Sequence, residues 1–276
     1  MGTTNHKTGT DFNKDNPQQE KVIFFGNGPL AEYALAVISR ECQVIFHARR
    51  KEDLAEACRL KKEHPEVHGI LASFGVLIGA EILESFEPEG ILNIHPSLLP
   101  RYRGASPIEA AILAGDDDFS VSVMKLTKGM DAGPIYYQTT LSDLPLEKDK
   151  IYKALAEAGA EWIVANLINL PMPVPQDDSR ATFCGKLKKD MGVLTPETDT
   201  AQQTFRKIVA FQNYPKPKYA FYGVLCTILE AHMLKLGMEA ALTIPCADGA
   251  AVAVDKLQPE GRRAMDAKAF INGYRK

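Results

Sequence analysis

Asn93 and His95 stand two residues apart at the end of the apolar run Gly90-Ile91-Leu92-Asn93-Ile94-His95. If that run is a strand, the spacing puts both side chains on one face. An amide and an imidazole on a shared face can donate and accept hydrogen bonds, and the imidazole can carry a proton near neutral pH. Pro96-Ser97-Leu98-Leu99-Pro100-Arg101 follows at once, so the pair stands where a strand gives way to a proline-bounded loop. His95 alone also fits a histidine that is hydrogen-bonded for structural reasons. Asp131, in Lys128-Gly129-Met130-Asp131-Ala132-Gly133, has two readings as well. It fits an ordinary turn aspartate, and it fits a carboxylate that orients a histidine ring. Gly26-Asn27-Gly28 is a third candidate. The full dinucleotide fingerprint would need glycine at position 31, where Ala31 stands, and no acidic residue ends the next run at Phe46-His47-Ala48. A nicotinamide site is therefore a poor fit, although the turn can still offer backbone N–H groups to a polar or anionic ligand.

The elements that must position these residues follow from periodicity. Residues 21–26 form a short apolar run ending in glycine, which predicts a buried strand. Pro29 is placed for the first turn of a helix over 30–40, and residues 43–47 read as a second strand. The alternation continues with a helix over 53–64, a strand over 69–74, a short helix over 80–86, the strand 90–95 and a helix over 108–114. Residues 120–126 alternate apolar and polar side chains, which predicts a strand half-exposed on one face, with 135–140 as its hairpin partner. A long amphipathic helix is expected over 149–170. Strand–helix–strand order predicts an α/β fold with an open, mostly parallel, helix-covered sheet. In such a sheet, ligands bind beyond the carboxyl ends of the strands, where Asn93 and His95 would lie.

Pro171-Met172-Pro173-Val174-Pro175 cannot continue a helix and marks the best boundary. Beyond it come a helix over 200–212 and short β-like runs at 219–222, 225–231 and 250–254, which predict a small C-terminal β-barrel or sandwich. The expected organisation is a disordered tail over 1–20, a catalytic domain over 21–170, a linker over 171–190 and a barrel over 191–276.

The composition excludes several classes. No apolar run approaches the roughly 18 residues of a membrane span, and residues 1–20 lack the apolar stretch of a secretory signal. A cytoplasmic, membrane-free protein is expected, most simply a monomer. Five cysteines without C-x-x-C spacing argue against a zinc or redox motif and for reduced, packed thiols. The net charge of −3 conceals an asymmetry. Residues 1–179 hold 17 Lys and Arg against 26 Asp and Glu, whereas residues 180–276 hold 15 against 9. A basic C-terminal module fits a polyanion such as RNA, and it also fits a solvated surface with no partner.

Asn93-Ile94-His95-Pro96-Ser97-Leu98-Leu99-Pro100-Arg101-Tyr102-Arg103-Gly104-Ala105-Ser106-Pro107-Ile108, with Gly129-Met130-Asp131-Ala132-Gly133 downstream, resembles the paired signature of the 10-formyltetrahydrofolate-dependent formyltransferases. Cys184-Gly185-Lys186-Leu187-Lys188-Lys189, residues 205–215 and Leu257-Gln258-Pro259-Glu260-Gly261-Arg262-Arg263-Ala264-Met265 extend the resemblance to members with a second domain, so it covers nearly all of 21–275. The resemblance implies a Rossmann-like formyltransferase sheet followed by an OB-like barrel that binds tRNA. It implies Asn93, His95 and Asp131 as the catalytic trio. Phe74, Leu77, Ile78, Ser97, Leu98, Leu99 and Pro100 would line the folate site. The donor would be 10-formyltetrahydrofolate, with no metal. The acceptor would be the amino group of initiator methionyl-tRNA, in the service of translation initiation, with a sugar-nucleotide amine as the alternative. Members acting on methionyl-tRNA carry a long basic loop after the second strand. Here only Arg49-Arg50-Lys51 precedes the next helix, and the tryptophan expected near Leu194-Thr195-Pro196 is missing.

Overall fold

A computed structural model describes residues 19–235 and 237–274. The expected disordered tail lies outside these residues as far as position 18. The chain forms two compact units, each discontinuous in sequence.

The first unit comprises residues up to Pro100, Ser120–Thr140 and Tyr152–Ala181. Its strands are β1 (Lys21–Gly26), β2 (Gln43–Ala48), β3 (His68–Ala72) and β4 (Ile91–His95). Helices α1 (Pro29–Glu41), α2 (Leu54–Glu63) and α3 (Ala80–Ser85) connect them. The two-residue β5 (Arg103–Gly104) and α4 (Pro107–Ala114) belong to the second unit, and the chain returns through β6 (Phe119–Lys125) and β7 (Ile135–Leu141). The sheet runs β2-β1-β3-β4-β6-β7. The first four strands are parallel, and β6 is antiparallel to β4. This is the expected open, mostly parallel Rossmann-like sheet.

Crossovers are right-handed, so passing from β1 to β2 and back to β3 places α1 and α2 on opposite faces and opens a crevice at the strand ends between β1 and β3. One face packs Ile23, Phe25, Leu71 and Ile91 against Ala57, Leu83 and Phe86. Gly26 has a steric reason to be glycine, because a Cβ there would meet the Ala72 carbonyl and stand 2.8 Å from the Ala31 Cβ.

Helix α5 (Lys148–Asn166) stops four residues short of expectation, and exposed Ile168 lies in the turn that follows. Strand β6 departs from the half-exposed pattern read from its alternation. Ser122 is fully buried along with Val121, Val123 and Met124. The physical reason is that β6 is an interior strand, flanked by β4 and β7. The N-terminal part of the helix expected over 53–64 tightens into a 3-10 turn over Lys51–Asp53 before α2 begins.

The second unit comprises Arg101–Phe119, Leu141–Ile151 and Thr182–Lys276. Short β8 (Phe183–Cys184) pairs in parallel with β5. Helix α6 (Ala201–Phe211) starts where Thr200 Oγ accepts from the Gln203 N–H and the Gln203 side chain accepts from the Thr200 N–H, which is a capping box. The antiparallel strands β9 (Lys218–Phe221), β10 (Val224–Met233), β11 (Thr243–Pro245), β12 (Ala251–Pro259) and β13 (Met265–Asp266) run β11-β12-β10-β9, with β13 on β12. The expected barrel thus takes the form of a curled antiparallel half-barrel. Register shifts around Glu230 bend β10. Strand β12 runs five residues past the expected end. Helix α7 (Ala267–Tyr274), which periodicity did not predict, buries Phe270 against the core of Ile228, Ile244, Val252 and Leu257.

Cys42, Cys58, Cys226 and Cys246 are free thiols. Burial pushes the Cys42 and Cys226 thiols up to about 11, as expected of sulfur packed as a small apolar group.

Candidate active site

Strand β4 carries Asn93 and His95 to its carboxyl end, both 5% exposed. They alternate with Ile94, whose side chain meets α5 on the opposite face. A Cβ built on Gly159 of α5 would stand 2.8 Å from Ile94 Cγ2 and 3.3 Å from Val121 Cγ2. Glycine therefore lets the helix sit close on the back of the strand that holds the pair.

Asp131 comes from the connection between β6 and β7 and reaches the same place. Its Oδ1 lies 3.7 Å from His95 Nδ1, within ion-pair range and longer than a hydrogen bond. Both side chains are sheltered, at 6% and 17% exposure. Asp131 holds a left-handed backbone, with φ of 47°. That conformation is uncommon for a side-chain-bearing residue and tends to persist where surrounding structure enforces it. Two bonds enforce it here. The Gln176 side-chain amide donates to the carbonyls of Asp131 at 2.8 Å and Gly133 at 2.7 Å. Gly133 abuts the Lys125 carbonyl so closely that a Cβ would overlap it.

The loop after β4 is held from below. Ser122 lies opposite His95 in the β4–β6 register. Its hydroxyl donates to the Ser97 carbonyl at 2.6 Å and accepts from the Leu99 N–H at 3.1 Å. Gln138 of β7 donates to the same hydroxyl at 2.8 Å and to the Leu99 carbonyl at 2.9 Å. These contacts explain why a serine occupies a fully buried position in β6: its hydroxyl is satisfied in every direction.

The seven expected folate-lining residues differ in exposure. Phe74, Ile78, Ser97 and Leu99 are buried, and Phe74 packs edge-on against Phe25 with ring centroids 5.8 Å apart. Leu77 at 89% and Leu98 at 40% are the exposed apolar side chains, and Pro100 is partly buried. Phe74, Leu77 and Ile78 follow β3, and residues 97–100 follow the neighbouring β4, so both loops leave the same sheet edge.

At the crevice between β1 and β3, the Asn27 N–H donates to the Ser73 carbonyl at 3.2 Å. Nearby, His47 Nε2–H donates to the Gly26 carbonyl at 2.9 Å, and Nδ1 accepts from Arg49 Nε–H at 3.2 Å. Each bond fixes one ring nitrogen, so the ring is the neutral tautomer. Its pKa is lowered, first by burial and secondarily by the Arg49 charge, against the opposing Gly26 bond and Asp53 charge. The Asp53 carboxylate accepts from the Arg49 and Arg50 N–H groups, which shapes the short basic turn.

Sequence pattern and resemblance singled out Asn93, His95 and Asp131, which the fold brings together, but not Ser122, Gln138 or Gln176. Ser122 carried one weak signal, a polar residue in an apolar run. Gln176 carried none beyond its place after the alternating prolines. Among the described residues there is no group of three or more His, Cys, Asp or Glu placed to hold a metal ion, and no helix long and apolar enough to cross a membrane.

The first unit is a Rossmann-like sheet with Asn93 and His95 at the end of its fourth strand and Asp131 facing His95, and the second unit carries a curled half-barrel. Residues 16–167 match the family described as Formyl transferase, and residues 186–275 match Formyl transferase, C-terminal domain, so the chain belongs to the formyl transferase family. It is 33% identical over 222 residues to the methionyl-tRNA formyltransferase of Dehalococcoides mccartyi, covering 75% of this chain and 70% of the relative. It is 33% identical over 260 residues to the enzyme of that name from Thermus thermophilus, covering 89% and 82%. Among solved structures, HypX from Aquifex aeolicus in complex with tetrahydrofolic acid shares the fold, with a TM-score of 0.69 at 17% identity. That match covers 94% of this chain, which spans about half (48%) of HypX.

Proposed function

We propose that the chain transfers the formyl group of 10-formyltetrahydrofolate to the free amino group of initiator methionyl-tRNA in the cytoplasm, supplying translation initiation. The observation that carries this reading is the meeting of Asn93, His95 and Asp131 at the carboxyl end of β4, with Asp131 Oδ1 3.7 Å from His95 Nδ1. Relatives at 33% identity that bear the methionyl-tRNA formyltransferase name support the acceptor. The division into a catalytic domain over 21–170, a linker over 171–190 and a basic tRNA-binding module over 191–276 belongs to the same reading.

The donor supplies a formyl carbonyl on N10, and the acceptor supplies an unprotonated amine. As the new C–N bond forms, the carbonyl oxygen becomes an oxyanion. Asn93 and His95 donate hydrogen bonds to it, and one such donor in a dry site contributes about 3–4 kcal/mol to the transition state. Asp131 orients the His95 ring and balances its charge. When the bond from carbon to N10 breaks, the proton lost by the amine ends on N10, and the Asp131–His95 pair is its route. Burial of both site residues on β4 keeps these donors from competing water. Leu77 and Leu98 offer exposed apolar surface for the flat pterin, and the backbone of 97–100 offers hydrogen bonds already oriented by Ser122 and Gln138.

The short turn Arg49-Arg50-Lys51 favours one competitor, a sugar-nucleotide amine, because it leaves little basic surface after β2. The test supplies 10-formyltetrahydrofolate with either charged initiator tRNA or an amino-sugar nucleotide and follows which acceptor gains the formyl group. Formylation of the sugar alone refutes the tRNA reading. Formylation of neither refutes both.

A further inference from the structure

We propose that Gln176 is a positioning residue that fixes the Asp131 carboxylate against His95, making the proline-rich segment after α5 part of the catalytic apparatus. The inference rests on the proposed role of Asp131.

Three observations converge on it. First, Gln176 uses both amide hydrogens on one short loop, donating to the carbonyl of Asp131 itself at 2.8 Å and to that of Gly133 at 2.7 Å. A two-pronged donor clamps the direction of the 131–132 and 133–134 peptide planes, and the first of these adjoins the Cα from which the Asp131 side chain leaves the backbone. Second, Asp131 sits at φ 47°, an uncommon left-handed conformation that tends to persist where surrounding structure holds it, and Gln176 holds the peptide immediately after it. Third, Gln176 is itself anchored. Two residues earlier, Val174 exchanges reciprocal backbone hydrogen bonds of 2.8 Å with Ile135 at the start of β7. The segment is therefore pinned to the start of β7 by a single antiparallel bridge, and Gln176 is delivered to the loop from that fixed point.

The 3.7 Å separation of Asp131 and His95 is where small displacements matter. Electrostatic orientation of a ring falls off with distance and angle, and a misplacement of about 1 Å can cost roughly a hundredfold in rate. A glutamine 45 residues downstream thus acts on Asp131 through the backbone carbonyls of Asp131 and Gly133.

The test is a double-mutant cycle in the full-length enzyme, with the amine acceptor that the formylation assay above identifies. Q176A should lower kcat by about ten- to a hundredfold while KM for 10-formyltetrahydrofolate changes by less than about twofold. D131N removes the group being positioned, so Q176A placed on D131N should change kcat by less than about twofold more. Q176E, nearly the same size but unable to donate to two carbonyls, guards against a simple packing defect and should lose kcat like Q176A. Unchanged kcat in Q176A and Q176E overturns the proposal, as does an equal loss on the wild-type and D131N backgrounds, since that is the mark of general packing. Normal turnover in D131N alone overturns the catalytic reading of Asp131, and this proposal with it.

Discussion

Gly159→Ala tests whether the back of the site strand is as tightly packed as the geometry requires. Alanine in mid-helix is favoured over glycine by about 1 kcal/mol, so an exposed glycine replaced in α5 would stabilise the protein. Here the new methyl would stand 2.8 Å from Ile94 Cγ2, 3.3 Å from Val121 Cγ2 and 3.5 Å from Ile94 Cγ1. Carbon atoms pack best at about 3.5–4.0 Å, so the helix or β4 must move by several tenths of an ångström. Overpacking of this kind costs roughly 1–3 kcal/mol. Set against the propensity gain, the net is a destabilisation of about 1 kcal/mol. Trp162 is the chain's single tryptophan and lies one turn further along α5, stacked on Tyr137 with centroids 5.1 Å apart. Its fluorescence reports on this helix–sheet layer. With a urea slope of roughly 2 kcal/mol/M, the Trp162 transition should move down by about 0.5 M. Ile94 lies between Asn93 and His95 in sequence, so turnover should fall even where the variant is fully folded. An upward shift of the midpoint would show that Ile94 and Val121 yield freely and would refute the packing argument.

Three further outcomes follow from the same structure. His95→Ala should abolish nearly all turnover while 10-formyltetrahydrofolate binding, followed by equilibrium titration, stays near normal; turnover close to wild type would refute the role given to His95. Lys148 and Glu109 form an ion pair of 2.7 Å at 4% and 7% exposure in the second unit, and Lys148 also donates to the Ala210 carbonyl at 2.8 Å. Lys148→Met should therefore cost about 3–5 kcal/mol in denaturant unfolding by leaving Glu109 buried without that partner, whereas Lys148→Met with Glu109→Leu should recover much of the loss; a silent single variant would count against burial of the pair. His47 resists protonation in the fold, so as pH falls below its ordinary value of 6.5 the unfolded chain binds a proton that the folded ring does not, and stability declines toward the lower folded value. His47→Gln should remove that decline, measured as the difference between the two stability–pH curves, and parallel curves would contradict it.

Local sequence determined a good deal about this protein. Alternation and helical spacing are properties of one element at a time, so strands β1 to β4, their connecting helices and the shared face of Asn93 and His95 were legible. The helix expected over 200–212 is likewise present as α6. The glycines around Asp131 announced a tight connection. Tertiary structure alone decided where that connection goes. Asp131 meets His95 because β6 returns antiparallel beside β4, a pairing that no local pattern encodes. Ser122 looked like the solvent side of a half-exposed strand, yet it is buried and carries the Ser97–Leu99 loop, because its neighbours on both sides come from elsewhere in the chain. Gln176 reaches the Asp131 loop across 45 residues. Periodicity measures which way a side chain points; the partner waiting there is set by chain segments far away in sequence.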